Sequence, residues 1–590
     1  MTAACVRDDT MMASISSRRM AIGDFLLRRL EEAGILHLFG VPGDYNLGLL
    51  QQLHDTGALE WIGTTGEMTA SYAADGYARL KGLGALLVTN GVGALGAING
   101  VAGAYSEHIP LICIVGSIPL KSIDRGHGMH HTMADGTWDH FLDAFAPVTA
   151  AQARLSPRNA AKEIDRLILT AWQEKLPVYL ELPSDITHLE IEVPAEPLIL
   201  AEQTSDPERL HSCIVAISER LSSALFPTIL IDADAARFGV TDELMMLAQK
   251  MQIPLAATIA AKGAIDETLP NYIGIYNGAA GEPGVRERIE NSDCLLAIGY
   301  RPIEVTTGDF TAELPANTIH IRGHSVDVDD GNYQALTVKE VISGVLDQVS
   351  PVEWYAPTRH PGSASGNRAD DSFGKLTQAA YWPAMQEYLS PGDVLYVDNG
   401  TSYALLGLKF PPDVTFIGSI NWGSIGYSVG ALLGGLVAAP ERRHLLFIGD
   451  GSFQVTAQEL STILRLDLKP AIFLINNGGY TIERGYLGNY EPYNDIANWA
   501  YADLPRVLRP DTSARTFKVR TVEDLRLALD TPNNALVFVE SIMEPHDAPP
   551  GIVASSNKGA EVDYGPRGPQ RRESLHREPA PGAYSRSEFL

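Results

Sequence analysis

Short apolar runs alternate with segments of helical period along most of the chain. In the first stretch, "HLFGV", "ALLVTN", "LICIVGS" and "VYLELP" are runs bounded by Gly, Pro or Asn, the pattern of buried parallel strands. A soft segment, "EVPAEPLILAEQTSDPE", closes this block. A second block repeats the alternation with "PTILIDA", "CLLAIGY" and "TIHIRG", and a third with "VLYVDNG", "HLLFIGD", "AIFLINN" and "LVFVES". Between the second and third lies "PTRHPGSASGNRADDS", whose Pro, Gly and Ser content marks a linker. The fold class expected is α/β, as three successive open parallel-sheet domains. Their bounds are 21–193, 205–350 and 375–548, with a linker at 351–374. Residues 1–20 read as a disordered leader and 549–590 as a poorly ordered tail rich in Pro, Gly and Arg.

Composition narrows the function. A chain of 590 residues with 45% hydrophobic content is long enough for several cores. Its net charge of −27 argues against a nucleic-acid partner and against an anionic membrane surface. Four scattered cysteines without a CxxC pair suit a reducing cytoplasm better than a disulfide framework. No uninterrupted apolar stretch reaches the length of a membrane span.

Two glycine motifs compete for attention. "GVGALG" at Gly91–Gly96 fits the GxGxxG turn of nicotinamide-dependent oxidoreductases. The next strand, however, ends in Gly116 and Ser117, where that chemistry wants an acid for the ribose. Tight helix packing is the plainer expectation. "GDGSFQVTAQEL" at Gly449–Leu460 is the stronger signal, because "INNGGYTIE" follows one strand later. Asp450 and Asn477 then sit at the carboxyl ends of successive strands, where open α/β sheets bind ligands. A carboxylate and an amide oxygen, with a backbone carbonyl nearby, are hard ligands suited to Mg²⁺. The flanking glycines and the helix start would let a diphosphate approach.

GDG followed by NN resembles the signature of the thiamine-diphosphate enzymes. Four further stretches, "HLFGVPGDYNLGLL", "GEMTASYAADGYARLKG", "HHTMADG" and "WGSIGYSVGA", with "YTIERG…YNDI", are similar to the pyruvate, indolepyruvate and branched-chain 2-oxo acid decarboxylases. The resemblance implies a pyrimidine-binding, a middle and a diphosphate-binding domain. It implies thiamine diphosphate and Mg²⁺, the metal on Asp450, Asn477 and the Gly479 carbonyl. Thr401, Gly451, Ser452, Asn477 and Tyr480 would line the diphosphate end, Ile425 would bend the cofactor, and the Gly423 carbonyl would meet its aminopyrimidine. Glu67 would bond a pyrimidine nitrogen, and its nearly charge-free flanks predict burial. Asp44, His130, His131 and Glu483 match the polar set that protonates the carbon left after CO₂ departs, releasing an aldehyde.

The same resemblance implies a homodimer sharing its active sites, with a dimer of dimers common in the branch. The substrate is a small 2-oxo acid, aromatic such as indolepyruvate or phenylpyruvate, or branched-chain. The alternative is a carboligase of the same cofactor group, forming acyloins. This chain departs from the family's pattern at Gly66, Gly478, Tyr403, Asn421, Tyr486 and Leu487. It also has Asp234 or Ala235 where some relatives carry a cysteine linked to substrate activation.

Overall fold

The computed structural model describes residues 17–352, 374–488 and 490–564. Three α/β units follow one another, each around its own sheet. The first sheet comprises His37–Gly40, Glu60–Gly63, Gly84–Thr89, Leu111–Ser117, Ala151–Arg154 and Val178–Pro183. The third comprises Val394–Val397, Thr415–Gly418, His444–Gly449, Ala471–Asn476, Arg515–Val519 and Val537–Ile542. All neighbours in both are parallel. Numbered in chain order within each sheet, both read 2-1-3-4-6-5. Their central strands are buried along nearly their whole length, and Leu111–Ser117 at every position, as helices on both faces require.

The middle sheet corrects the expectation of parallel strands throughout. Its seven strands include an antiparallel hairpin, Ser325–Val328 with Gly331–Gln334, at one edge. Only one face of that hairpin meets the core, and its residues alternate in exposure accordingly.

Two boundary expectations also change. Ser17–Ala21 is a strand paired antiparallel with Glu190–Pro194, so order begins before the end of the expected leader. The pairing satisfies main-chain groups that an apolar pattern does not reveal. The rest of that leader, residues 1–16, lies outside the described residues, as does most of the expected linker, 353–373. The expected tail contains a helix, Pro550–Tyr564, packed on the helix Thr481–Leu487. Tertiary contact holds it: Gly559 abuts the Tyr486 hydroxyl and Ser556 abuts Gly485. Residues 565–590 lie outside the described residues.

The first and third units are joined by the helices Glu67–Lys81 and Tyr427–Ala438, each of which follows the second strand of its sheet. Their backbones touch because glycine lines the contact. A Cβ on Gly434 would stand 1.8 Å from the Ala73 carbonyl oxygen, and one on Gly76 2.2 Å from that of Ala431. At one end of the seam the Tyr427 hydroxyl and Arg79 Nε both donate to buried Asp75. Nearby, Glu107 accepts from the backbone N–H groups of Asn421 and Trp422, at 2.7 and 3.2 Å. The middle unit reaches the same place: His108 pairs with Asp234 at 2.9 Å and Arg301 bonds the Ser106 carbonyl. Burial would lift the Asp234 pKa, but His108, Arg301 and Arg237 hold it below the usual value.

Gly434→Ala should therefore destabilise the protein by about 1–3 kcal/mol, because the intruding methyl meets backbone. Gly284→Ala, where a Cβ meets nothing within 4 Å, should not. The midpoints of denaturant unfolding compare the two.

Candidate active site

In the third unit the expected metal residues converge at the carboxyl edge of the sheet. Asp450 follows His444–Gly449 and begins a helix; Asn477 follows the adjacent strand Ala471–Asn476. Asp450 is buried, and its carboxylate accepts from the N–H groups of Gly451, Gly478 and Gly479 at 2.8, 2.7 and 3.2 Å. Burial lifts its pKa to about 6 against the pull of those donors. Among the described residues no cationic side chain pairs with it. Asn477 is likewise buried.

Gly478 and Gly479 have φ of 73° and 137°, and Gly479 lies against the Asn494 carbonyl. That carbonyl accepts from Tyr480 N at 2.9 Å, so "YNDI" clamps the turn beneath "NNGG". The Tyr480 ring covers Gly451, where a Cβ would come within 2.6 Å of it. Glu483 lies on the next helix; partial loss of water around its carboxylate raises its pKa, and Asp563 from the C-terminal helix adds to the rise.

Thr401 is buried in a turn that receives a hydrogen bond from Gln378 at 3.3 Å. Ser452 donates to the Asn399 carbonyl at 3.0 Å, and Asn399 Nδ2 is buried without a hydrogen-bond partner.

Between them lies a residue that motif reading passed over. Asp398, fully buried at the end of Val394–Val397, accepts from Gly426 N at 3.1 Å, Ser428 N at 3.0 Å and Ser428 Oγ at 2.5 Å. Burial raises its pKa against these donors. It thereby holds the loop carrying Gly423 and half-buried Ile425 to the head of the helix Tyr427–Ala438. The acid in "VLYVDNG", directly after an apolar run, was the available signal.

The first unit holds the remaining candidates. Asp44 lies in the loop after His37–Gly40, and His130 and His131 lie beyond Leu111–Ser117. His130 Nε2 stands 2.8 Å from Asp44 Oδ2, and His131 Nδ1 3.9 Å from Oδ1. Tyr45 Oη lies 3.1 Å from His130 Nδ1. His131 adopts φ 59°, fixed by a hydrogen bond of 2.9 Å from Asn90 Nδ2 to its carbonyl.

Glu67 starts its helix half-buried against Gly93 and Gly96. The "GVGALG" glycines thus make room for a carboxylate and, with Gly100, for the helix Glu67–Lys81. Just before it, Thr65 donates to Glu459 through N and Oγ1, at 3.1 and 2.6 Å. Among the described residues, no hydrogen bond or ion pair links the Asp44–His130–His131 group with the Asp450–Asn477–Glu483 group. A shallow cleft elsewhere, beside Trp172, Lys175 and His324, contains none of these candidates.

Comparison with known proteins matches all three units. Residues 20–139, 214–349 and 398–529 match the N-terminal, central and C-terminal domains of thiamine pyrophosphate enzymes. A pyruvate decarboxylase of Aspergillus terreus is 38% identical over 91% of this chain and 97% of its own length. That of Aspergillus fumigatus is 37% identical over 93% and 99%. An alpha-keto-acid decarboxylase of Mycobacterium ulcerans is 36% identical over 90% and 94%. The chain belongs to the thiamine-diphosphate-dependent 2-oxo acid decarboxylases.

The residues of this decarboxylase fit its cofactor, for which Mg²⁺ is the family's usual partner metal. A buried carboxylate without a cation, beside an amide oxygen and a carbonyl, is a hard-ligand set. The unpartnered Asn399 amide, and open space where a Cβ on Gly449 or Gly478 would stand, leave polar groups and room for a polar ligand.

Asp398→Ala leaves two buried N–H groups unpaired, at about 1–3 kcal/mol each. The variant should release thiamine diphosphate at least tenfold more readily in equilibrium dialysis while Asp450 remains intact.

Proposed function

We propose that this decarboxylase converts an aromatic or branched-chain 2-oxo acid, of which indolepyruvate and phenylpyruvate are examples, into an aldehyde and CO₂. It would do so in the cytoplasm as a homodimer. The buried, cation-free Asp450 carries the metal assignment: Mg²⁺ on Asp450, Asn477 and the Gly479 carbonyl would hold the diphosphate, with Thr401, Gly451 and Ser452 around it. Bound there, thiamine diphosphate supplies the carbon nucleophile and electron sink that loss of CO₂ requires.

The chain's own groups handle protons. The Glu67 carboxyl would exchange one with a pyrimidine nitrogen. Asp44, His130, His131 and Glu483 would deliver one to the carbon that CO₂ leaves. The resemblance of "HLFGVPGDYNLGLL" and "HHTMADG" to the indolepyruvate and branched-chain enzymes supports the substrate class. Tyr486 and Leu487, two of the departures, lie on the helix that carries Glu483.

The shared site follows from what one chain leaves apart. Among the described residues Asp44 and its histidines have no bond to the Asp450 group, so a second copy would bring one set to the other. Large apolar side chains near Glu67 support this: Val92, Leu95 and Trp422 are exposed on the single chain.

A panel of 2-oxo acids, with CO₂, aldehyde and acyloin measured together, tests the reaction. Aldehyde should dominate, with aromatic or branched acids turned over faster than pyruvate. His131→Ala should lower aldehyde release by about 10²-fold or more and raise the acyloin share when aldehyde is supplied. Unchanged aldehyde formation would favour the carboligase. Sedimentation velocity should find activity only in the dimer or larger species.

A further inference from the structure

We propose that Asp44, His130 and His131 form a capture site for a borderline-soft divalent ion, Zn²⁺ above all, distinct from the Mg²⁺ cradle at Asp450. Their ligand atoms all lie within 4.8 Å of one another. Two imidazole nitrogens and one carboxylate, with one side open, form the donor set of three-ligand zinc sites. Mg²⁺, which favours oxygen ligands in an octahedron, has no such cage here.

Three details make the cluster a built site rather than a chance of surface loops. His131 Nδ1 is buried and has no hydrogen-bond partner among the described residues, although a buried ring nitrogen ordinarily finds one. It stays aimed at Asp44 because Asn90 fixes the left-handed backbone of His131. The Tyr45 hydroxyl faces His130 Nδ1 and so can fix the ring with Nε2 toward Asp44, as an outer partner does for a metal-bound imidazole. On the single chain the open side is accessible, the side chains of Asp44 and His130 being 47% and 58% exposed.

A Zn²⁺ held here occupies the nitrogen lone pairs that a proton relay needs. The ion therefore blocks turnover. That consequence rests on the relay reading above, whereas capture itself rests on the geometry.

The test uses the full-length holoenzyme loaded with thiamine diphosphate and millimolar Mg²⁺. Equilibrium dialysis against Zn²⁺, with metal analysis, should show one zinc per chain. His130→Gln combined with His131→Asn should lower that affinity about 100-fold, and Tyr45→Phe about 10-fold. Co²⁺ in place of Zn²⁺ should give the intense visible bands of a four-coordinate ion, lost in the double variant. Circular dichroism and retained cofactor show that the variants are folded, and Asp44→Asn serves if the double variant is not. Equal zinc uptake by wild type and folded variants overturns the site. Stoichiometric, variant-sensitive zinc that leaves turnover untouched overturns the relay reading instead.

Discussion

The contact between the helices Glu67–Lys81 and Tyr427–Ala438 is the constraint on which the arrangement of the chain depends. These helices occupy the same place in two sheets of identical strand order, each following the second strand. The backbones of Gly76, Gly430 and Gly434 allow an approach that no larger residue permits. Both helices begin at candidate site groups, Glu67 on one and the Gly423–Ile425 loop on the other. The depth of the seam consequently sets where both groups stand. Burial of Asp75, Arg79 and Tyr427 beside it adds directional bonds to packing that is otherwise apolar.

The charged groups of the interior divide by task. Asp398 has its donors supplied by the chain and fixes a loop. Asp450 also receives backbone donors but no cation, which leaves its charge for something the chain does not encode. Glu107 holds Asn421 and Trp422 in place, and the Asp234–His108 pair ties the middle unit to that junction. Asp234, which with Ala235 stands where some relatives carry a cysteine, is a buried acid in an ion pair.

The sequence was most legible where burial is two-sided. Every central strand of the first and third sheets shows as an apolar run. The strands absent from that reading are the edges: Glu60–Gly63, Ala151–Arg154, Thr415–Gly418 and Arg515–Val519. Edge strands are half-exposed, as the intermediate burial of Ala151–Arg154 shows, and leave no continuous apolar signal. Asp450 and Asn477 stood out as metal candidates because each directly follows a strong strand, whereas the relay candidates were named from the family resemblance. Asp398 and Glu459 did not stand out, since their roles lie in hydrogen bonds to residues distant in sequence. The helix Pro550–Tyr564 was missed because contacts with Gly485 and Tyr486, rather than its own periodicity, hold it.

The repeated strand order has a consequence for how such a chain diversifies. In each sheet the candidates follow corresponding strands: Asp44, Glu67 and the histidines come after strands one, two and four of the first, and Asp398, Ile425 and Glu483 after those of the third, where Asp450 also follows strand three. Two halves with one wiring plan and different cargo need not change together. Each can mutate its own loops while the common framework still docks, except where both supply one set of candidates, as Asp44 and the histidines do with Glu483.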